Sequence, residues 1–374
     1  MTTSKKYTTG QPDNGSWALH QIYFYLTEGC NLACRHCWLA PGFDADGSTY
    51  LTLPVELFET VIREAQPLGL SGVKLTGGEP LLHQEFTRLL EIVRRAELKL
   101  TIETNGVLCS PAMAREIAKS ADRFVSVSID GADAATHEWV RGVPGCFEKA
   151  CQAVRNLTAV DTSPQIIMSV MRCNADQVDP VVRMAEELGA SSVKFNIIQP
   201  TARGEQLRET GEALSIAELI QLGKHVETEL APTTKLQLFF DYPLAFRLLS
   251  RIASGEDADT CGILGILGVI SNGQYALCGI GEHVPEFVFG RVGEDYLEAV
   301  WHENQVLKEL REGMPGKLDG VCVRCLMKHR CLGSCIAQNY YETGSLWAPF
   351  WFCQQAAEAG LFPESRLGTV MINT

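Results

Sequence analysis

No apolar run in this chain reaches the length of a membrane-spanning helix, which excludes a helical membrane protein. The opening residues, Met1-Thr-Thr-Ser-Lys-Lys, lack the apolar core of a secretory signal. A soluble cytoplasmic protein is the expectation. Positive charge is also in short supply. Lys and Arg number 32 against 45 Asp and Glu, a net −13. That balance opposes a nucleic-acid function resting on a broad basic surface, and ordinary solubility accounts for it. There is no low-complexity segment. With 46% hydrophobic residues, wholesale disorder is excluded. The 374 residues suffice for one large α/β domain plus a smaller one. What the chain does have is cysteine, fourteen in all. Without an export signal, that number argues for metal or redox centres over disulfides.

From about residue 21 to 230, short β-rich runs alternate with amphipathic stretches. The expected strands are Ile22–Thr27, Gly72–Thr76, Leu98–Glu103, Phe124–Ile129, Gln165–Met171 and Ser192–Ile198. The expected helices include Pro54–Ala65, Gln84–Arg95, Pro111–Lys119, Phe147–Leu157 and Asp179–Leu188. Six βα repeats imply a parallel sheet with right-handed crossovers, either curled into a partial barrel or open and doubly wound. In both cases functional loops sit at the C-terminal strand ends. Beyond residue 230 a further strand is expected at Leu236–Phe240 and a helix at Tyr242–Ala253. A boundary is placed near residue 255, and the loop-rich remainder carries seven cysteines. The expected segments are 1–20, 21–230, a bridge over 231–255, a second domain over 256–360 and a tail over 361–374.

The most informative run follows the first strand: Cys30, Cys34 and Cys37, spaced C-x3-C-x2-C. Three thiolates on one tight loop can hold three irons of a cubane and leave the fourth open to a small molecule. Three buried thiols, or a zinc site short of one ligand, are the bland alternatives. The second strand ends in Gly77-Gly78-Glu79-Pro80, where glycines permit close backbone approach and a carboxylate can hold an ammonium. The third ends in Glu103-Thr104-Asn105, and the fourth carries Ser128 and Asp130, followed by His137 and Arg141. Alone, such strand-end polar residues are turn formers. Near the C-terminus the cysteines run Cys261, Cys278, Cys322, Cys325, Cys331, Cys335 and Cys353, with Gly273 between the first two. Pairs spaced C-x2-C are equally a zinc-domain feature.

Together these motifs resemble the radical S-adenosylmethionine (SAM) enzymes of the SPASM subfamily, and particularly maturases of ribosomally made peptides. The resemblance covers nearly residues 20–360. It implies an α/β fold: a partial (β/α)6 barrel followed by a SPASM domain with two auxiliary clusters. It further implies SAM and three 4Fe–4S clusters as cofactors. Cys30, Cys34 and Cys37 would hold the cluster that binds SAM. Gly77, Gly78, Glu79 and Pro80 would take the amino group of SAM, and Arg141 its carboxylate. Ser128 and Asp130 would lie near its ribose and methionine, with Glu103, Thr104 and Asn105 among the binding strand ends. His36 would lie against adenine, with Asn196 and Gln199 touching adenosine. Cys322, Cys325, Cys331 and Cys353 would hold the distal auxiliary cluster; Cys261, Cys278 and Cys335 would hold the proximal one.

Two departures stand out. Leu267 occupies the place where many relatives supply a fourth proximal cysteine, so an iron there is expected to be open, with His283 a candidate donor. Gly279 stands where sulfatase-maturing relatives carry a catalytic aspartate, leaving Asp241, Glu282, Tyr23 and Tyr25 as substitute proton acceptors. Cys109, Cys146, Cys151 and Cys173 match no pattern and are read as small hydrophobes.

The resemblance implies one-electron cleavage of SAM and hydrogen abstraction from a precursor peptide, with crosslinking, excision or oxidation as the outcome. An external reductant such as flavodoxin or ferredoxin is implied. About twenty residues precede the first strand, too few for a winged-helix leader-binding domain, so a separate recognition protein is expected. The alternatives are a radical SAM enzyme acting on a tetrapyrrole side chain and a non-catalytic iron–sulfur module.

Overall fold

The computed structural model describes residues 17–254 and 261–368. The boundary expected near residue 255, and parts of both terminal segments, lie outside the described residues. Ten strands form one sheet. In chain order they are β1 (Gln21–Tyr25), β2 (Gly72–Thr76), β3 (Lys99–Thr104), β4 (Arg123–Ser128), β5 (Gln165–Val170), β6 (Ser192–Ile197), β7 (Gln237–Phe240), β8 (Ile266–Val269), β9 (Gln274–Ala276) and β10 (Val288–Arg291). From β1 to β7 they lie side by side in chain order, each parallel to the next.

That order selects the barrel over the doubly wound sheet. Right-handed crossovers that always step in one direction put every helix on one face, and the sheet must curl around the other. Among the helices are α1 (Val55–Ala65), α2 (Phe86–Arg95), α3 (Pro111–Ala118), α4 (Ala134–Arg141), α5 (Cys146–Thr158), α6 (Val178–Leu188), α7 (Arg203–Glu209) and α8 (Ile216–His225). Toward them point Ile22, Phe24, Val73, Leu75, Leu100, Ile102, Val125, Val127, Ile166, Met168, Val193 and Phe195, all buried. The alternate positions carry Tyr23, Lys74, Thr101, Glu103, Ser128, Lys194 and Asn196. Parallel strands covered on both faces are apolar throughout. This alternation is the signature of a polar lumen.

The sheet continues past residue 255. β8 lies parallel to β1 on the side away from β2, with Ile22 opposite Leu267, and β9 and β10 extend it antiparallel. The strand expected at Leu236–Phe240 forms as β7. The single helix expected over Tyr242–Ala253 does not form. Leu244–Phe246 makes one 3-10 turn and α9 (Leu249–Ser254) follows. Pro243 keeps its predecessor out of the helical region, and Arg247 is extended (φ −76°, ψ 155°). After β10 come α10 (Leu297–Glu303), α11 (Gln305–Gly313), α12 (Lys328–Cys331), α13 (Ile336–Thr343) and α14 (Trp351–Glu358), joined by loops. Among the described residues, no helix is long and apolar enough to cross a membrane.

Candidate active site

Cys30 and Cys34 are buried and Cys37 half-buried on the loop between β1 and α1. Neighbouring strand ends hold this loop through its main chain. The amides of Gly78 and Glu79 donate to the carbonyls of Thr27 and Gly29, both at 3.0 Å. Gly78 has to be glycine, because a Cβ there would lie 1.9 Å from the Gly29 oxygen. Gly77 adopts φ +120°. The close approach these glycines permit is therefore to the cysteine loop itself. From the other side, Ala33 N donates to Arg141 O (3.0 Å) and Arg35 N to Val140 O (2.9 Å) at the end of α4. The Arg203 guanidinium reaches Cys34 O (3.3 Å) and Pro41 O (2.8 Å). Buried Asp44 closes the loop by accepting from the amides of Gly47, Thr49 and Tyr50. Sequence reasoning missed Asp44, and took Arg203 only as part of the run after the sixth strand expected to contact adenosine. The partners of both are main-chain atoms that a pattern cannot show.

Sulfur receives hydrogen bonds too. Leu32 N (3.4 Å) and Asn105 Nδ2 (3.8 Å) donate to Cys30 Sγ, and Arg141 Nη1 (3.5 Å) donates to Cys34 Sγ. Burial pushes the Cys30 thiol well up and that of Cys34 to about 11, with the neighbouring thiols adding to each rise. Sulfurs ringed by N–H donors, yet too desolvated to ionise alone, suit a bound cation. Cys146 packs into the same small cluster as Cys30, Leu32 and Cys34.

Glu79, 1% exposed, ties β2 to β3. Its carboxylate accepts from Thr104 Oγ1 (2.6 Å), Asn105 N (2.8 Å) and Leu81 N (3.1 Å). Burial raises its pKa to about 7 against those bonds. Asp130 is fully buried. It pairs with Arg141 Nε (2.6 Å) and accepts from Ser169 N (2.8 Å). Burial alone would raise its pKa, but Arg141 and its other partners outweigh that and hold it below the usual carboxylate range. Asp130 and Arg141, expected as separate SAM contacts, thus face each other. His36 and His137 are driven to about 4 by burial. Buried polar atoms without partners are rare. Here His36 Nδ1, His137 Nε2, Asn196 Oδ1 and Thr201 Oγ1 all lack one. They lie on the cysteine loop, on α4 and at the end of β6, where a polar ligand such as SAM fits. Thr201 sits in the turn before α7, where Ala202 takes a strained φ of 49° and Gly204 abuts the Gln199 carbonyl.

The C-terminal cysteines form two further sets. Cys322, Cys325, Cys331 and Cys353 line one small apolar pocket, walled by Pro243, Phe350 and Phe362 among others. Cys261, Cys278 and Cys335 form the other. Burial raises all three thiols, and Cys335 raises its two companions further. The Lys74 charge lowers both Cys261 and Cys278, and the Asp241 charge raises Cys261 and Cys335. Among the described residues no three of His, Cys, Asp and Glu converge tightly enough for one metal ion.

Leu267 is in β8 and fully buried in the main core. Exposed Cys173 lies after β5, near Glu212 and Asp130, apart from this set. His283 engages the Trp38 carbonyl (3.0 Å). Tyr25 is 4% exposed, edge-on to Trp38, and burial pushes its phenol further from ionisation. Tyr23 lies under Lys74 (4.8 Å), which pairs with Glu103 (2.5 Å) in the lumen. The pKa of Glu282 is raised to about 7 by partial burial of its carboxyl and by Glu28, although the residue as a whole is exposed.

Residues 24–197 match the family model described as the Radical SAM superfamily. The AdoMet-dependent heme synthase of Methanosarcina barkeri is 30% identical over 338 residues, covering 86% of this chain and 93% of that one. The mycofactocin maturase MftC of Mycobacterium ulcerans is 26% identical, covering 98% and 96%. Among solved structures, Streptococcus suis SuiB bound to its precursor peptide SuiA superposes with a TM-score of 0.71 at 19% identity, over 91% of this chain and 76% of that one. Native anSMEcpe with bound AdoMet gives 0.69 at 19% identity, over 90% and 95%.

Proposed function

This chain belongs to the radical SAM superfamily, and on that premise we propose that it oxidises, crosslinks or excises part of a ribosomally made precursor peptide. The observation that carries the reading is the placement of two three-cysteine sets beside one polar lumen. Cys30, Cys34 and Cys37 stand at the strand ends, and Cys261 and Cys278 couple electrostatically to Lys74 within the lumen, with Cys335 beside them. The near-complete match to MftC along both chains supports a peptide substrate.

Each set would hold one 4Fe–4S cluster, and the cavity-lining Cys322, Cys325, Cys331 and Cys353 a third. A cluster held by Cys30, Cys34 and Cys37 would supply the electron that cleaves bound SAM, and with it the capacity to abstract hydrogen from a substrate carbon. The chain's own residues position and protect. Asn105 and Arg141 donate to the ligand sulfurs, and Glu79 locks the β2 and β3 ends together. His36, Asn196, Ser128 and Gln199 would border the nucleoside. Glu282, which binds a proton readily near neutrality, and Asp241 would accept the proton lost from the substrate. The barrel keeps water from reactive species. We read residues 21–230 as the barrel domain and 256–360 as the auxiliary-cluster domain, joined by 231–255 and sharing one sheet through β8. A separate leader-binding protein and a flavodoxin or ferredoxin would act as partners in the cytoplasm.

The 30% identity to a heme synthase favours a second reading, a small-molecule substrate such as a tetrapyrrole. Anaerobic assays distinguish the two. Reconstituted enzyme, SAM and reductant are incubated with short peptides encoded beside the gene, or with tetrapyrroles, and products are weighed by mass spectrometry. A mass change only in a tetrapyrrole overturns the peptide reading. Failure to form any 5′-deoxyadenosine would leave a non-catalytic iron–sulfur module.

A further inference from the structure

Arg141 stands where the family resemblance places a partner for the SAM carboxylate, and its side chain also contacts the first cysteine loop and α4's buried acid partner Asp130. Its Nη1 donates to Cys34 Sγ at 3.5 Å, and its Nε contacts Asp130 Oδ2 at 2.6 Å. Both side chains are withdrawn from solvent, at 8% and 0% exposure. Asp130 is itself anchored. Its Oδ1 accepts from Ser169 N (2.8 Å), its amide donates to His137 Nδ1 (3.1 Å), and its carbonyl accepts from Asn174 Nδ2 (2.9 Å). The main chain of Arg141 is fixed as well, through the amide of Ala33 (3.0 Å). Gly142 caps α4 at φ +73°, against Ala33, where a Cβ would come within 2.7 Å of the Ala33 oxygen. The guanidinium is therefore held at the sulfur from both ends. Swinging it away would strand Asp130 as an unpaired buried charge.

We propose that Arg141 is a positioning residue of the cluster on Cys30, Cys34 and Cys37, raising its reduction potential through Cys34, and that Asp130 limits how far. The inference rests on the reading that these cysteines hold a cluster. Reduction adds one negative charge, spread partly onto the ligand sulfurs. A cation and an N–H donor at one sulfur favour that reduced form, as hydrogen bonding and local charge do for such clusters generally. Asp130 cancels part of the cation's field. His36 and His137 face the same pair.

The test is an EPR-monitored redox titration of the reconstituted full-length protein. It follows the signal that changes when SAM is added. Arg141→Gln is expected to hold about tenfold less reduced cluster than wild type at a fixed solution potential, a midpoint about 59 mV lower for one electron. Arg141→Lys, which keeps the charge, should recover most of the difference. Asp130→Asn should shift the midpoint upward. A wild-type midpoint in cluster-bearing Arg141→Gln, with SAM binding weakened instead, overturns the inference and returns the guanidinium to the SAM carboxylate. If Arg141→Gln fails to take up iron, Asp130→Asn decides, and an unshifted midpoint overturns the inference. A wild-type protein without any SAM-sensitive signal defeats the cluster reading itself, and the inference falls with it.

Discussion

Gly279 lies against the ring of Tyr25 so closely that a Cβ on it would come within 2.3 Å of the ring edge and 2.8 Å of Trp38. The space that an aspartate would need after Cys278 is filled by an aromatic side chain from β1. Gly279→Asp should destabilise the protein by about 1–3 kcal/mol through overpacking. Adding Tyr25→Ala should recover part of that loss, because the two residues are in contact and their effects couple. Thermal melts of both variants check this. Equal melting temperatures for Gly279→Asp and wild type would show that the wedge is absent.

Replacing Cys30, Cys34 and Cys37 together by alanine should abolish 5′-deoxyadenosine formation. Iron should fall by about a third, from about twelve to about eight per chain, because two cysteine sets remain. Chromatography of the nucleoside and iron analysis read both outcomes. Full nucleoside production by this variant would refute the assignment of SAM cleavage to this loop.

Cys146 packs in the same cluster as Cys30 and Cys34 and is placed to compete as a fourth ligand. The open-iron reading requires that it does not. Cys146→Ala should keep the iron content and the rate of SAM cleavage, with a stability cost of about 1 kcal/mol for the lost packing. Loss of four irons in this variant would assign Cys146 to the cluster and close the site.

On the cluster of Cys261, Cys278 and Cys335, one iron should carry a non-cysteine ligand. Leu267 is locked into the core by β8, and Cys173 lies elsewhere. Asp241 is the carboxylate that acts on two of the three sulfurs. Asp241→Asn should therefore alter the spectrum of that cluster, while Cys173→Ala leaves it unchanged. Mössbauer and EPR spectra supply the comparison, and four cysteine sulfurs on this cluster would contradict the prediction.

Glu79 gives a pH signature. Its folded pKa, about 7, lies above its ordinary 4.5 because of burial. Between those values the folded chain binds a proton that the unfolded chain has released, so stability falls as pH rises across that window. The full loss is on the order of 3 kcal/mol. Glu79→Gln should flatten this slope. It should also cost about 1–3 kcal/mol at alkaline pH, where Glu79 is ionised, since the amide nitrogen cannot accept from Asn105 N as the second carboxylate oxygen does. Melting temperatures at pH 5 and 7.5 test it, and parallel slopes for the two proteins would exclude Glu79 as the source.

The sequence determined the cysteine sets by spacing, and the strands by an alternation that holds from Ile22 to Ile197. Both are local signals, read from neighbours along the chain. It also marked Glu79 and Arg141 as special without revealing their partners. Only the tertiary structure decided that strands stepping in one direction curl into a barrel, and that a strand after residue 255 joins the sheet beside β1. The same holds for Tyr25 occupying the space beside Gly279, Arg203 clasping the Cys34 carbonyl and Cys146 reaching the first cysteine loop. Arg141 is 107 residues from the sulfur it touches. Such contacts depend on how crossovers bring strand ends together. No period in the sequence encodes that distance, and a residue with a main-chain partner leaves no motif behind.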